Sequence, residues 1–158
     1  MPPPDAVWCW CKPPSSKNNS VTQTIQFVIF EDIFMTQTLD QKRAALAWKY
    51  ATAGMSAQYA KEYKGLAKGA PALIMNSGLM PTLAFYSGKG PAAQHLLNDL
   101  MTGLIQRLAP QSAPRDFISF MVMLQKYESH EYLRYTDEAL ELLKWIRQFV
   151  DAVEAKAA

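Results

Sequence analysis

Apolar and polar positions recur with helical spacing across nearly all of residues 40–158. Residues 40–68, DQKRAALAWKYATAGMSAQYAKEYKGLAK, lack proline and are rich in Ala, Lys, Gln and Leu. They predict one long helix of about 43 Å, weakened at Gly54 and Gly65 by about 1 kcal/mol each relative to Ala. Thr38 or Asp40 is placed to cap its start, and Gly69 followed by Pro71 to stop it. At about 100° per residue, Trp48, Met55, Tyr59 and Leu66 share one side, flanked by Ala44 and Tyr63. That side is the predicted packing seam.

The next stretch, KGAPALIMNSGLMPTLAFYSGKGP, is too apolar for a solvated linker and too interrupted for one helix. It reads as two short helices forming a buried corner. The first has Pro71 in its first turn and Gly78 just past its end; the second has Pro81 early and Gly88 at its close. Residues 91–109 predict a further helix with Leu97, Leu100, Leu104 and Leu108 on one side. Ala113-Pro114 breaks the chain, and residues 116–126 form a short apolar helix. Ser129 caps a long final helix whose apolar face holds Tyr132, Ala139, Leu143, Ile146 and Val150. Its polar face mixes signs, as with Arg147 and Asp151 at i,i+4, and reads as ordinary solvent surface. The expected fold is all-α: one compact bundle of about six helices, the first and last long.

Residues 1–34 do not match this pattern. MPPPD and WCWCKPPSSKNNS precede one short apolar run, VTQTIQFVIFEDIF, in which residues 25–30 are a candidate strand. The segment lacks an early basic residue, and Glu31 and Asp32 interrupt its apolar run, so it is no signal peptide. It is expected to be a disordered extension or the product of an upstream start, with the biological chain starting at Met35 and one domain over residues 35–158. Cys9 and Cys11 supply too few ligands for zinc and a poor geometry for a disulfide.

Composition is that of a globular domain, with 49% hydrophobic and 19% charged residues. No apolar run is long enough to span a membrane. The net charge of +2 hides a polarity. Residues 40–90 hold seven basic residues against two acids, whereas residues 91–158 hold seven against nine. On the predicted first helix, Lys42, Arg43, Lys49, Lys61, Lys64 and Lys68 fall within an arc of about 120°, nearly opposite the seam. Such a stripe repels itself and gains no i,i+4 pairing, which suits an external polyanion. Tyr50 lies in the same arc and offers a stacking surface. The alternative is a solvated basic face.

Catalytic chemistry finds little support. His95 and His130 belong to no metal-binding spacing, and G-x-S-x-G, P-loop and G-x-G-x-x-G motifs are absent. Asp137, Glu138 and Glu141 read as a solvated acidic face rather than an acid/base pair. No catalytic residue, metal ligand or cofactor is expected.

Three features together resemble the small subunit of the type III-B CRISPR (Cmr) RNA-targeting effector complex. They are QKRAALAW, the block KEYKGLAKGAPALIMNSGLMPTLAFYSGKG, and the closing amphipathic helix. The resemblance covers residues 40–153, and Pro81 departs from its pattern. It implies a non-catalytic, cytoplasmic, all-helical protein of antiviral defence, stacked in several copies beside a backbone filament. Its partners would be other Cmr subunits, further copies of itself, and guide and target RNA lying along the backbone. Lys42, Arg43, Lys49, Lys61, Lys64 and Lys68 would then face the RNA groove, read through its backbone rather than its bases. The competing expectation is a helical protein–protein adaptor without direct RNA contact.

Overall fold

In the chain's computed structural model, residues 37–111, 114 and 116–157 are described. Expectations for residues 1–34, including Cys9, Cys11, the candidate strand and the start at Met35, lie outside them. Six helices occur among the described residues, and no strand. They are α1 (Leu39–Ser56), α2 (Ala60–Ser77), α3 (Leu79–Ser87), α4 (Pro91–Leu108), α5 (Phe117–Lys126) and α6 (Ser129–Ala157). The all-α expectation holds.

The long first helix does not run unbroken. Residues 57–59 separate α1 from α2, with Ala57 extended at ψ 159° and the Ala60 amide closing a turn onto the Ala57 carbonyl. A single rod would present only one side to a core. The turn instead points Ala47, Tyr50, Ala51 and Gly54 of α1 and Tyr63, Ala67, Ala70 and Ile74 of α2 into one interior. Helix α2 then continues through Gly69 and Pro71, which stand inside it rather than at a boundary. Burial of Ala67, Ala70 and Ile74 on either side outweighs the lost proline hydrogen bond.

The seam also differs from the expected one. Trp48 is 41% exposed, with its ring edge-on to Phe149 at 5.3 Å. Met55, Tyr59 and Leu66 are only partly buried. Small residues share the interior with Tyr50, Tyr63 and Ile74, because helices approach most closely over Ala and Gly. At Gly54 an added Cβ would overlap the buried Tyr63 ring.

The corner turns at Gly78 as expected, but its first arm is the end of α2, not a separate short helix. Gly78 adopts φ 91°, a left-handed conformation that favours glycine, and its amide returns to the Ile74 carbonyl at 2.8 Å. Leu79, Thr82, Leu83 and Tyr86 of α3 are buried. Helix α6 is the axis of the bundle: α1 packs along it most extensively, and α2 next. Helix α4 lies against α1, α2, α3 and α6, with Leu97, Leu100 and Leu104 buried as predicted. On α6, Ala139, Leu143, Ile146 and Val150 are likewise buried. No helix among the described residues is long and apolar enough to cross a membrane.

Candidate nucleic-acid interface

Thr38 sets the start of α1 and hence the direction of its first cations. Its hydroxyl accepts from the Gln41 amide at 3.2 Å, and the Gln41 side chain accepts from the Thr38 amide at 2.7 Å. Arg43 therefore emerges one turn into α1, pointing at α6. Its Nε and Nη2 donate to the two Glu138 oxygens at 3.0 and 2.6 Å, and its Nη1 reaches Asp40 at 3.3 Å. Arg107, from the end of α4, donates its Nε to the same Glu138 carboxylate at 3.1 Å. The Glu138 side chain is only 7% exposed and that of Arg43 13%. The expected acidic solvent face thus fails at Glu138, because two guanidiniums neutralise it inside the bundle. Burial alone would push the Glu138 carboxyl up, but hydrogen bonds from Arg43 and Arg107 hold it below its ordinary value.

Lys64 and Lys68 also turn towards α6. Lys64 lies 2.8 Å from Asp151 and additionally pairs with Glu154, and Lys68 lies 2.8 Å from Asp151. Asp151 is thereby taken from the expected Arg147 pairing, since α2 runs antiparallel to α6 and offers two ammonium groups. These pairs pull the Asp151 carboxyl below its usual range.

Lys42, Lys49 and Lys61 behave differently. None carries an ion pair or hydrogen bond among the described residues; Lys49 and Lys61 are exposed and Lys42 half-buried. Lys42 and Lys49, two turns apart, share one flank of α1 on the side towards α4, where the Lys49 charge reaches Asp99. The break at residues 57–59 thus divides the predicted single arc. One portion lies on the α1 flank, and Lys64 and Lys68 on the side of α2 that meets α6. Tyr50, expected as a stacking surface in that arc, is buried, and its hydroxyl has no hydrogen-bond partner.

A further polar cluster sits where the break meets α4. Tyr63 donates its hydroxyl to Asp99 at 2.8 Å, His95 Nε2 lies 3.7 Å from the same carboxyl, and the Tyr59 hydroxyl meets His95 Nδ1 at 3.0 Å. Burial pushes Asp99 up to about 6, and the Tyr50 hydroxyl up to about 12. Sequence reasoning passed over this cluster; the one local signal was His95 and Asp99 at i,i+4 on an otherwise apolar face. Nothing local pointed to the Arg43–Glu138–Arg107 group, whose members lie in three separate helices. No group of three or more His, Cys, Asp or Glu side chains that could hold a metal occurs among the described residues.

Fold and surface together define a small all-α domain in which one set of charged side chains ties α6 to α1, α2 and α4, while others, Lys42, Lys49 and Lys61 among them, are left without an ion pair. The CRISPR-associated protein family Cas_Cmr5 has a model that matches residues 39–153. The chain belongs to this family, the small subunits of Cmr (type III-B) complexes. It is similar to a solved structure, the X-ray crystal structure of a CRISPR-associated Cmr5 family protein from Thermus thermophilus. The two share 28% identity and superpose with a TM-score of 0.62, over 75% of this chain and 98% of that one. No curated protein matches the chain.

Proposed function

We propose that the chain is a non-catalytic, cytoplasmic subunit that stacks in several copies and borders the guide and target RNA of a type III-B effector. Lys42, Lys49 and Lys61 make the phosphate contacts. Lys64 and Lys68 are held at the margin by Asp151 and Glu154, and Arg43 acts chiefly by fixing α1 on α6. The observation that carries the RNA reading is that these three lysines make no ion pair among the described residues, Lys49 being only within electrostatic reach of Asp99, while the other three cations each make one. Ammonium groups without an internal partner are the ones a polyanion can claim at least cost.

Reconstituted complexes with Lys42→Glu, Lys49→Glu and Lys61→Glu test this. If three phosphates are contacted, the slope of log affinity against log salt should flatten by about 2 for single-stranded RNA. An unchanged slope would sink the reading. The internal pairing of Arg43, Lys64 and Lys68 favours the second reading, an adaptor that touches only protein. In that case a complex lacking this subunit loses length but still protects its target RNA.

A further inference from the structure

A cleft of about 410 Å³ lies between α2 and α6, lined by Pro71, Leu140, Lys144, Arg147 and Gln148. The two helices run antiparallel along it. Lys68 pairs with Asp151 at one end, and the Met80 amide, just beyond α2, donates to the Tyr132 hydroxyl at the other. Pro71 and Leu140 give the cleft an apolar floor. Met75 stands one turn beyond Pro71, and Leu133 two turns before Leu140, so helical register places both along the same groove. They are 72% and 58% exposed, the highest values among the large apolar side chains of the described residues apart from Ile118.

The two charged side chains that line the cleft, Lys144 and Arg147, are both cations. Arg147 is exposed and carries no ion pair among the described residues. Asp151, its neighbour at i+4, is already held by Lys64 and Lys68. Lys144 has only an exposed contact with Glu141 at 3.5 Å. Exposed Met and Leu in a line mark a protein contact, and a groove between two helices accepts a third through anchors at i, i+4 and i+7. No aromatic side chain lines the cleft, so nucleic-acid bases have nothing there to stack on.

We propose that the α2–α6 groove docks an acidic amphipathic helical segment of a neighbouring protein. The segment's apolar face rests on Pro71, Met75, Leu133 and Leu140, and its carboxylate is held by Arg147 and Lys144. The groove includes none of Lys42, Lys49 and Lys61, and the inference stands apart from the RNA reading.

The test places the photo-crosslinker p-benzoylphenylalanine at Gln148 in the assembled complex and sequences the captured peptide. The expected product is a segment of another subunit with Asp or Glu within one turn of two apolar residues. Its yield should fall about tenfold when Arg147→Glu and Lys144→Glu are added, and should be unaffected by Lys42→Glu with Lys49→Glu. Should the double reversal unfold the chain, Arg147→Gln with Lys144→Gln replaces it and should also lower the yield. Capture of RNA, of another copy of this chain, of a peptide without acids, or of nothing overturns the proposal. So does a yield indifferent to both pairs of substitutions.

Discussion

Arg43 and Glu138 stand ninety-five positions apart in sequence, yet two guanidinium nitrogens of one meet both carboxylate oxygens of the other at 3.0 and 2.6 Å. The contact ties α1 to the N-terminal third of α6, and Arg107 joins it from α4. A carboxylate this buried is tolerable only while both cations remain. Glu138→Ala leaves Arg107 unpaired and Arg43 with only the exposed Asp40, and should destabilise the chain by about 3–5 kcal/mol. Replacing all three by Leu or Met of similar volume should cost far less. Urea unfolding of the two variants gives the comparison, and equal losses would contradict it.

The same carboxylate has a pH signature. Its folded pKa lies below the ordinary 4.5, so its stabilisation is complete above that value and is lost as pH falls through the lower, folded one. Acid unfolding should therefore shift to higher pH in Arg107→Gln, which removes one of the two hydrogen-bonding cations. Far-UV circular dichroism from about pH 2 to about pH 5 measures the midpoint.

Asp99 works in the opposite direction. Its carboxyl, raised by burial from 3.8 to about 6, keeps its proton in the folded chain where the unfolded chain has released it. Stability should fall as pH rises from about 4 to about 6, by on the order of 2–3 kcal/mol in all. Asp99→Asn still offers an acceptor to Tyr63 and should abolish the fall. Urea midpoints taken from about pH 4 to about pH 7 decide the matter, and parallel profiles for both proteins would refute it.

Two glycines predicted to weaken one helix should respond with opposite signs to the same change. Gly54→Ala forces a methyl group into the Tyr63 ring and should cost about 1–3 kcal/mol. Gly65→Ala meets nothing within 4 Å and should gain about 0.5–1 kcal/mol from helix propensity. Thermal melts of the two variants check both signs.

If Lys64 and Lys68 border RNA, Asp151 competes with phosphate for them. Asp151→Asn should then tighten RNA binding by the assembled complex and steepen its salt slope by about 0.7 for each lysine released. Affinities measured across a salt series would show it; weaker binding would indicate that Asp151 only orders the two lysines for their role.

Much of the fold was legible from periodicity and punctuation. The corner closed by Gly78, helix α4 with Leu97, Leu100 and Leu104, and the apolar face of α6 all lie where spacing put them. The seam of α1 and α2 was misread because large apolar residues were weighed above small ones. Ala47, Ala51, Ala67 and Ala70 are buried there together with Tyr50, Tyr63 and Ile74, while Trp48 rests half in solvent. Among the six cations, type and density were plain in the sequence, but direction was not. Placing residues on a wheel assumes an unbroken helix, and the turn at residues 57–59 voids that assumption.

By itself, then, the sequence determined what short-range forces decide: helical propensity, a cap at Thr38 or Asp40, stops at Gly78 and Gly88, and the excess of cations in residues 40–90. Tertiary structure alone decided which charges are consumed internally. Glu138 lies inside because Arg43 and Arg107 arrive from other helices, and Asp151 holds Lys64 and Lys68 because α2 doubles back along α6. Charge pairing between distant segments depends on where helices end up, and no local pattern encodes that.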